Sequence, residues 1–524
     1  MRDFHLPGRS AVFAANGMCA TSHPLAADVA LDMLKHGGNA MDAALSGAIL
    51  LGICEPQMTG IGGDCFVLHS RPGQEIRALN GSGCAPATAD AAALRARGLK
   101  TVPLDSAEAV TIPCAIDAFC RLADTEGRLG LDVLLQPAIR YAEEGVPVSP
   151  RIAFDWQVSS GTLQGAARHH YLKNGEPLRC GDMFRAPGQA EVLRRIAAHG
   201  REAFYSGEVA EDMVSALSAQ GGTHTLHDFA RADSIAAKPV EGQYRGAGLA
   251  EHPPNGQGAT AILLLNILKH FDLAAMDPFG AERAHIEAEA AKLAYDARNR
   301  FLADPDHTSR LAHMLAPEVS AQLAALIDPR RATPAFPALT EAVHKDTVYI
   351  TVVDRDRMAV SLIYSIFHGF GSGIASEKFG ILLQNRGAGF TLEAGHPNEL
   401  GPGKRPMHTI IPAMLKQNDD VIMPFGVMGG GYQPTGHARL VTNLLDFGMD
   451  LQSAIDAPRS FADGGKLKIE RGYSDEVRRQ LAAWGHEIEI PDTPLGGAQA
   501  VRIHASGILE GASDPRKDGC ALGY

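Results

Sequence analysis

The sequence predicts an α+β fold in which sheets are covered by helical layers. Three observations carry this. Two apolar runs, Thr347–Asp354 and Met358–Ile366, flank a turn bearing Asp354 and Asp356, the signature of an antiparallel pair. The stretch from Ala85 to about Ile327 is mostly helical in period. Further short strand patterns, Gly380–Gln384, Thr409–Lys416 and Val421–Gly426, then give way to a helical pattern from Thr435 to Phe447. Strands gathered in runs with helices before and after them favour sheets packed against helices.

The elements follow in order. Ala11–Ala20 reads as a buried strand of small residues. Pro24 opens a helix at its favoured first turn, with Leu25, Val29, Leu31 and Leu34 as the apolar stripe and Gly37-Gly38 as the stop. Asn39 caps a second helix, Ala40 to about Leu51, whose alanines allow close packing against a flat partner. Gly60-Ile61-Gly62-Gly63-Asp64 precedes a strand, Cys65–His69, rather than a helix. That context disfavours a phosphate cradle and favours a tight turn that brings backbone close to a site. Helices are expected at Ala87–Arg97, Ala115–Thr125, Leu131–Glu144, Gln189–His199, Glu208–Ala219, Ala259–Phe271 and Ala281–Phe301, with strand and turn from Ile235 to Ala250. Glu251–Gly258 is a loop by its proline and glycine content. In the last long helix, Glu287, Glu289, Lys292, Arg298 and Arg300 read as a solvated face. No internal repeat is evident.

Composition limits the function. The 524 residues are 45% hydrophobic and 21% charged, enough for a sizeable core, and the net charge of −12 argues against nucleic acid or an anionic membrane as partner. Eight cysteines without metal-type CxxC pairing fit reduced thiols; no metal is implied. The N-terminal stretch carries Asp3 and His5 and lacks the apolar core of a signal peptide, and the most apolar run, Ala43–Cys54, is too short to span a bilayer. A cytoplasmic protein is the expectation.

Thr347 stands out by its setting. Arg330–Lys345 has no period, mixes charges with two prolines and reads as an exposed linker that ends just before Asp346-Thr347. The strand that follows alternates Val348, Ile350 and Val352 towards one face. A threonine at a strand tip is ordinarily just a β-branched residue that fits there.

The motifs taken together resemble the γ-glutamyltranspeptidase family. They are Thr21–Ala26, Gly37–Ala44, Gly60–Asp64, Lys292–Tyr295 with Asp304-Pro305, Asp346–Asp354, Phe370–Ile374, Gly380–Asn385, Gly429-Gly430 through Ala457-Pro458-Arg459, and Ala512–Arg516. They span nearly the whole chain in the right order. The resemblance implies an N-terminal-nucleophile hydrolase with a four-layer αββα sandwich, two antiparallel sheets between helical layers. It also implies an inactive precursor that cuts itself between Asp346 and Thr347. The large fragment 1–346 and the small fragment 347–524 then form one intertwined catalytic domain as an obligate heterodimer, with a higher oligomer left open. Thr347 is the implied nucleophile, and cleavage frees its α-amine. With an unperturbed pKa of about 7.7–8.0, that amine can take the hydroxyl proton. Ser365 falls where the family keeps a hydroxyl that hydrogen-bonds the nucleophile and assists processing. Gly429 and Gly430 fall where backbone N–H groups meet the oxyanion. No metal or organic cofactor is implied.

The recognition half departs from the family pattern. Counted from Thr347, the usual asparagine is Phe367, the usual amide or acidic residue is Arg386, and the acid that binds the substrate ammonium is Gly389. Counted from Gly403–Pro406, the serine pair that contacts the carboxylate becomes His408-Thr409, and the family's clamping arginine falls at about Ser82. A zwitterionic glutamyl head would meet a cation where it needs an acid. The pattern therefore favours a small carboxylate-bearing amide of the oxamate type, its carboxylate met by Arg386 and His408, since arginine suits a planar carboxylate. Two other expectations stand beside it: a γ-glutamyl hydrolase or transferase acting on glutathione, and a catalytically silent binding protein. Arg386 also has a plain reading, as a surface or structural ion-pair residue.

Overall fold

The computed structural model describes residue 5, residues 8–334 and residues 347–524. Its centre is the strand Val348–Val353, which is hydrogen-bonded to Met18–Thr21 on one side and to Ala359–Ser365 on the other. These belong to a seven-stranded sheet ordered Cys520–Gly523, Met18–Thr21, Val348–Val353, Ala359–Ser365, Asp64–Ser70, Arg77–Gly81 and Ile235–Ala237. A second seven-stranded sheet runs Val12–Ala14, Leu509–Ser513, Gly497–Ile503, Asp420–Met428, Pro412–Gln417, Ala247–Glu251 and Val240–Tyr244. Neighbouring strands in both sheets are antiparallel.

The alternation of side chains along Val348–Val353 sorts the layers. Val348, Ile350 and Val352 share a core cluster with Ala30, Ala44 and Leu45 of the helices Pro24–Lys35 and Ala40–Cys54. Tyr349 points the other way, into a cluster with Phe66, Ile363, Ile410 and Met428 that joins the two sheets. Val353 does the same with Leu68, Met414 and Val501. Beyond the second sheet, Leu415, Phe425 and Val427 pack against Gly258–Leu268, Ala281–Phe301 and Gln433–Leu445. The result is the four-layer αββα sandwich. Helix Ala40–Cys54 starts in a reciprocal cap: the Asn39 side chain accepts from the N–H groups of Met41 and Asp42, and Asp42 accepts from Asn39 N–H. All of its residues are buried, so alanine and glycine allow its close packing between neighbours.

Some expectations are corrected. Ala11–Ala20 is two strands, Val12–Ala14 and Met18–Thr21, in different sheets, because Asn16-Gly17 turns the chain from one sheet to the other. Leu131–Glu144 splits into Leu131–Leu134 and Gln136–Glu144, the second with Pro137 in its first turn, where a missing N–H costs nothing. Ala87–Arg97 shortens to Ala91–Ala96, because Asp90 supplies the cap. The helix Pro150–Ser159 was not anticipated. Gly380–Gln384 is not a strand: its backbone is spent on loop contacts, with Leu383 N–H on Ile374 O and Gln384 N–H on Gly62 O, and a single bridge joins Ala375 to Leu382. Of the linker Arg330–Lys345, residues 330–334 are described and mostly exposed; residues 335–346, with Asp346 among them, lie outside the described residues.

The supposed solvated face of Ala281–Phe301 is also corrected. Glu287, Glu289 and Arg298 are buried, because the helix packs against Gly258–Leu268 and is covered by Ser460–Asp463 and Asp475–Ala483, while its side chains reach Gln433–Leu445 through hydrogen bonds. Its charges are paired rather than hydrated. Glu287 accepts from Arg283 Nε at 2.7 Å and pairs with Arg439, while Arg283 Nη2 reaches Thr442 Oγ1 at 2.9 Å. Lys292 holds Glu289 at 2.6 Å, and Arg298 Nη1 donates to Gln257 Oε1 at 2.8 Å. Arg300 alone of the five keeps a largely exposed side chain, paired with Asp296. The flanking guanidiniums hold the Glu287 carboxyl below its usual range against the opposing effect of burial. Its stabilising contribution is therefore present at neutral pH and lost as pH falls through that lowered value. Glu287→Ala, which strands two buried guanidiniums, should cost about 3–5 kcal/mol in urea unfolding at pH 7. Arg300→Ala, at an exposed pair, should stay within about 1 kcal/mol.

Candidate active site

Strand register brings the first two site residues together. Val348 pairs with Tyr364, so Thr347 and Ser365 face each other at the end of the ladder. Thr347 is almost fully buried, and its Oγ1 donates to Ser365 Oγ at 3.3 Å. Ser365 Oγ also accepts from Phe367 N–H at 2.9 Å and from Arg386 Nη2 at 3.1 Å. A single hydroxyl thus joins the threonine to the arginine.

Arg386 sits in the short turn Arg386–Gly389 and is fully buried, which removes the surface reading. Nη1 donates to Thr409 Oγ1 at 3.0 Å, and the guanidinium lies 4.1 Å from the centre of the Phe367 ring. Its Nε meets no acceptor among the described residues. Burial lowers its pKa to about 9, and the charge of Asp64 opposes that shift. Phe367 holds a φ of +82°, an outlier for a bulky side chain, and is fixed by its N–H bond to Ser365 and by the guanidinium over its ring.

Asp64 ends the Gly60–Asp64 loop and pairs in register with Ser365. The loop approaches the site as expected: a Cβ on Gly63 would collide with the carbonyl of Ser365. Asp64 Oδ1 accepts from Gly83 N–H at 3.0 Å and from Gln384 Nε2 at 2.8 Å. Its Oδ2 lies 3.3 Å from His408 Nε2. Burial pushes the Asp64 carboxyl up to about 6 against the pull of Arg386. His408 is driven well below its ordinary value by burial, with Arg386 adding to the effect. Its Nδ1 accepts from Ile410 N–H at 3.3 Å, which leaves a neutral ring with Nε2–H directed at Asp64.

The glycine pair joins this group through Gln257. Its Nε2 donates to Thr409 O at 2.6 Å and to Gly430 O at 3.0 Å, and its Oε1 is oriented by Arg298. Gly429 and Gly430 form the turn between Asp420–Met428 and Gln433–Leu445, with φ of +117° and +55°. Ser82 is buried and carries no charge; its Oγ accepts from Asn255 Nδ2 at 3.0 Å. Thr347, Ser365, Phe367, Arg386, His408 and Thr409 are therefore brought together, and the glycine turn is tied to Thr409. Asp64, Gln257 and Gln384 complete the group without having been singled out by sequence. Asp64 and Gln384 stood in recognised motifs, whereas Gln257 carried no signal.

The sequence profile described as gamma-glutamyltranspeptidase matches residues 26–524. The chain belongs to the γ-glutamyltranspeptidase family. Among members of this family, it is 34% identical to a glutathione hydrolase-like YwrD proenzyme of Bacillus subtilis, over 98% of this chain and 99% of the relative. It is also 34% identical to an oxamate amidohydrolase proenzyme of Klebsiella pneumoniae, with the same coverage. A crystal structure of a cephalosporin acylase from Bacillus halodurans superposes over 100% of this chain and 99% of that one, with a TM-score of 0.93 and 37% identity. Membership makes the protein a hydrolase of the N-terminal-nucleophile type, the class to which its sandwich fold corresponds.

Among the described residues, His285, Glu289 and His486 place potential metal-ligand atoms within 4.8 Å of one another. Those atoms are already satisfied by protein: His285 Nδ1 meets His486 Nε2 at 2.7 Å, His285 Nε2 meets Asp328 O at 2.7 Å, and Glu289 holds Lys292 and Thr333.

The glycine turn allows a direct check. A Cβ on Gly429 would stand 2.9 Å from Gly496 Cα, in a backbone region that L side chains rarely adopt. Gly429→Ala should lower stability by about 1–3 kcal/mol, read from the unfolding midpoint. An unchanged midpoint would show that the turn tolerates a side chain.

Proposed function

We propose that the chain is a self-processing threonine amidohydrolase acting on a small carboxylate-bearing amide of the oxamate type. The observation that carries this reading is the buried guanidinium of Arg386, one hydroxyl away from Thr347, with an unpartnered Nε. The names of two relatives, oxamate amidohydrolase and cephalosporin acylase, support a hydrolase that does not require a γ-glutamyl head.

In this reading, Thr347 Oγ1 first attacks the carbonyl carbon of Asp346. The acyl group moves from the Thr347 nitrogen to its oxygen, and water hydrolyses the resulting ester. The products are the Asp346 carboxylate and a free α-amine on Thr347. Fragments 1–346 and 347–524 stay together because strands from both lie side by side in each sheet. For turnover, the amine takes the Oγ1 proton as the oxygen attacks the substrate amide carbon. Backbone N–H groups of Gly429 and Gly430 receive the oxyanion, a contribution of about 3–4 kcal/mol per donor in comparable sites. The amine leaves with a proton, and water cleaves the acyl-threonine. Arg386 takes the substrate carboxylate, with His408 and Thr409 beside it and Phe367 limiting the space. Gly389 offers no acid for a substrate ammonium. The free cysteines support a cytoplasmic location in this reading.

On a denaturing gel the wild-type protein should run as two fragments and Thr347→Ala as one; a wild-type chain that stays whole sinks the mechanism. Ammonia release from oxamate should exceed turnover of γ-glutamyl-p-nitroanilide, and efficient use of the latter would overturn the pocket assignment. Because Arg386 touches Ser365 as well as the pocket, its test is a split in the kinetics. In the fraction that has processed, Arg386→Lys should raise KM for oxamate about tenfold or more and leave KM for the neutral oxamide near its wild-type value. Equal rises for both would assign Arg386 to the nucleophile alone.

A further inference from the structure

The buried group contains a carboxylate that the proposed chemistry leaves unused. Asp64 is fully buried, opposite Ser365 in the sheet, with Oδ1 held by Gly83 N–H and Gln384 Nε2 and Oδ2 facing His408. Among the described residues it is the carboxylate whose charge bears on Arg386. The Arg386–Asp64–His408 group is thus electrically balanced before any substrate enters, with one cation, one anion and one neutral ring. An anionic substrate that reaches Arg386 would leave two negative charges on one buried cation, in a medium that screens them poorly.

We propose that Asp64 is the specificity-determining counter-charge of this pocket, and that it takes up one proton from solvent when the substrate carboxylate binds Arg386. Asp64 stands in for the anion in the empty site and gives way to it as a neutral acid in the occupied one. The inference rests on the anionic-amide reading above and adds the regulation of that site by pH.

The surroundings let Asp64 titrate by itself over the relevant range. Arg386 and His408 face it from the pocket side, and His252, stacked 3.8 Å from the Phe66 ring, lies beyond His408. Burial holds His252 at about 4, His408 is also held low, and Arg386 loses its proton only near 9. On the other side stand the thiols Cys65, Cys84 and Cys114, each raised by burial and so neutral. Ser365, Gln384 and Thr111 are uncharged. The remaining group is the Thr347 α-amine of the processed enzyme, which titrates above the window at about 7.7–8.0 when unperturbed. The empty-site carboxyl sits at about 6. Below that value Asp64 is already protonated and the anion enters without opposition. Above it, each binding event must supply the proton, so affinity falls by up to about tenfold per pH unit.

The test measures KM for oxamate and for the neutral oxamide on the processed enzyme between pH 5.5 and 7.5, in the wild type and in Asp64→Asn. The oxamate KM of the wild type should be flat at the acid end and rise by up to about tenfold per unit above about 6, while the oxamide KM stays flat. Asp64→Asn should give a low oxamate KM without that slope. A flat wild-type profile for oxamate overturns the proposal without need of the variant. A variant that keeps the wild-type slope, or binds oxamate tenfold more weakly at pH 7, also overturns it. Turnover of γ-glutamyl-p-nitroanilide in place of oxamate overturns the anionic-amide reading and this inference together; oxamate turnover with a pH-independent KM overturns the role of Asp64 alone.

Discussion

The antiparallel register between Val348–Val353 and Ala359–Ser365 is the constraint on which the site depends. It sets Thr347 opposite Ser365, and the next strand in the sheet sets Asp64 opposite Ser365 from the other side. A slip of one residue would turn Val348, Ile350 and Val352 from the helical layer towards the second sheet and would carry Thr347 off the serine. Register of this kind is strongly specified only where both faces are committed. Here the helix-facing valines and isoleucine and the sheet-facing Tyr349 and Val353 fill different cores. The hydrophobic sandwich is therefore also the alignment device of the polar site.

Given that alignment, the cost to be met is charge burial. Arg386 has no carboxylate within ion-pair distance among the described residues; hydroxyls, an aromatic face and the field of Asp64 serve instead. A guanidinium satisfied this loosely retains donor capacity, unlike Arg283, whose Nε is committed to Glu287. The contrast between these two fully buried arginines separates a structural cation from one that can still receive a ligand. Glu287 ties Arg283 and Arg439 together as ion pairs, whereas Arg386 has an open Nε and no carboxylate within ion-pair distance among the described residues.

How much of this was legible in the sequence depended on whether local pattern or tertiary contact decided the outcome. The layers, the strand after Thr347 and the cap at Asn39 follow from periodicity and local hydrogen bonding, which a linear reading captures. Glu287 and Glu289 were misread because nothing in their own helix says that Ser460–Asp463 and Asp475–Ala483 will cover it. Gly380–Gln384 has strand composition but finds loop partners instead of a ladder. In the site, the hydroxyls and glycines could be located by spacing along a motif. Gln257 could not, because its value lies in an amide that spans segments distant in sequence, and the motif around Gln384 did not reveal its bond to Asp64.

Those amides bear on how the proposed recognition and catalytic groups are connected. Gln257 bonds Thr409 O and Gly430 O with one nitrogen, which ties the loop carrying His408-Thr409 to the glycine turn. Ser365 plays the same part between Thr347 and Arg386. A substitution at Arg386 thus reaches Thr347 through the shared hydroxyl of Ser365, and one at Thr409 through Arg386 and that hydroxyl, so Arg386 and Thr347 are not independent modules. The side-chain contacts of Asp64 go to Gly83, Gln384 and His408 rather than to Ser365 or Thr347. On the proposed reading its charge can therefore be altered with less disturbance to Thr347 and Ser365 than that of Arg386, which makes it a physically economical position at which to shift the pocket between anionic and neutral amides.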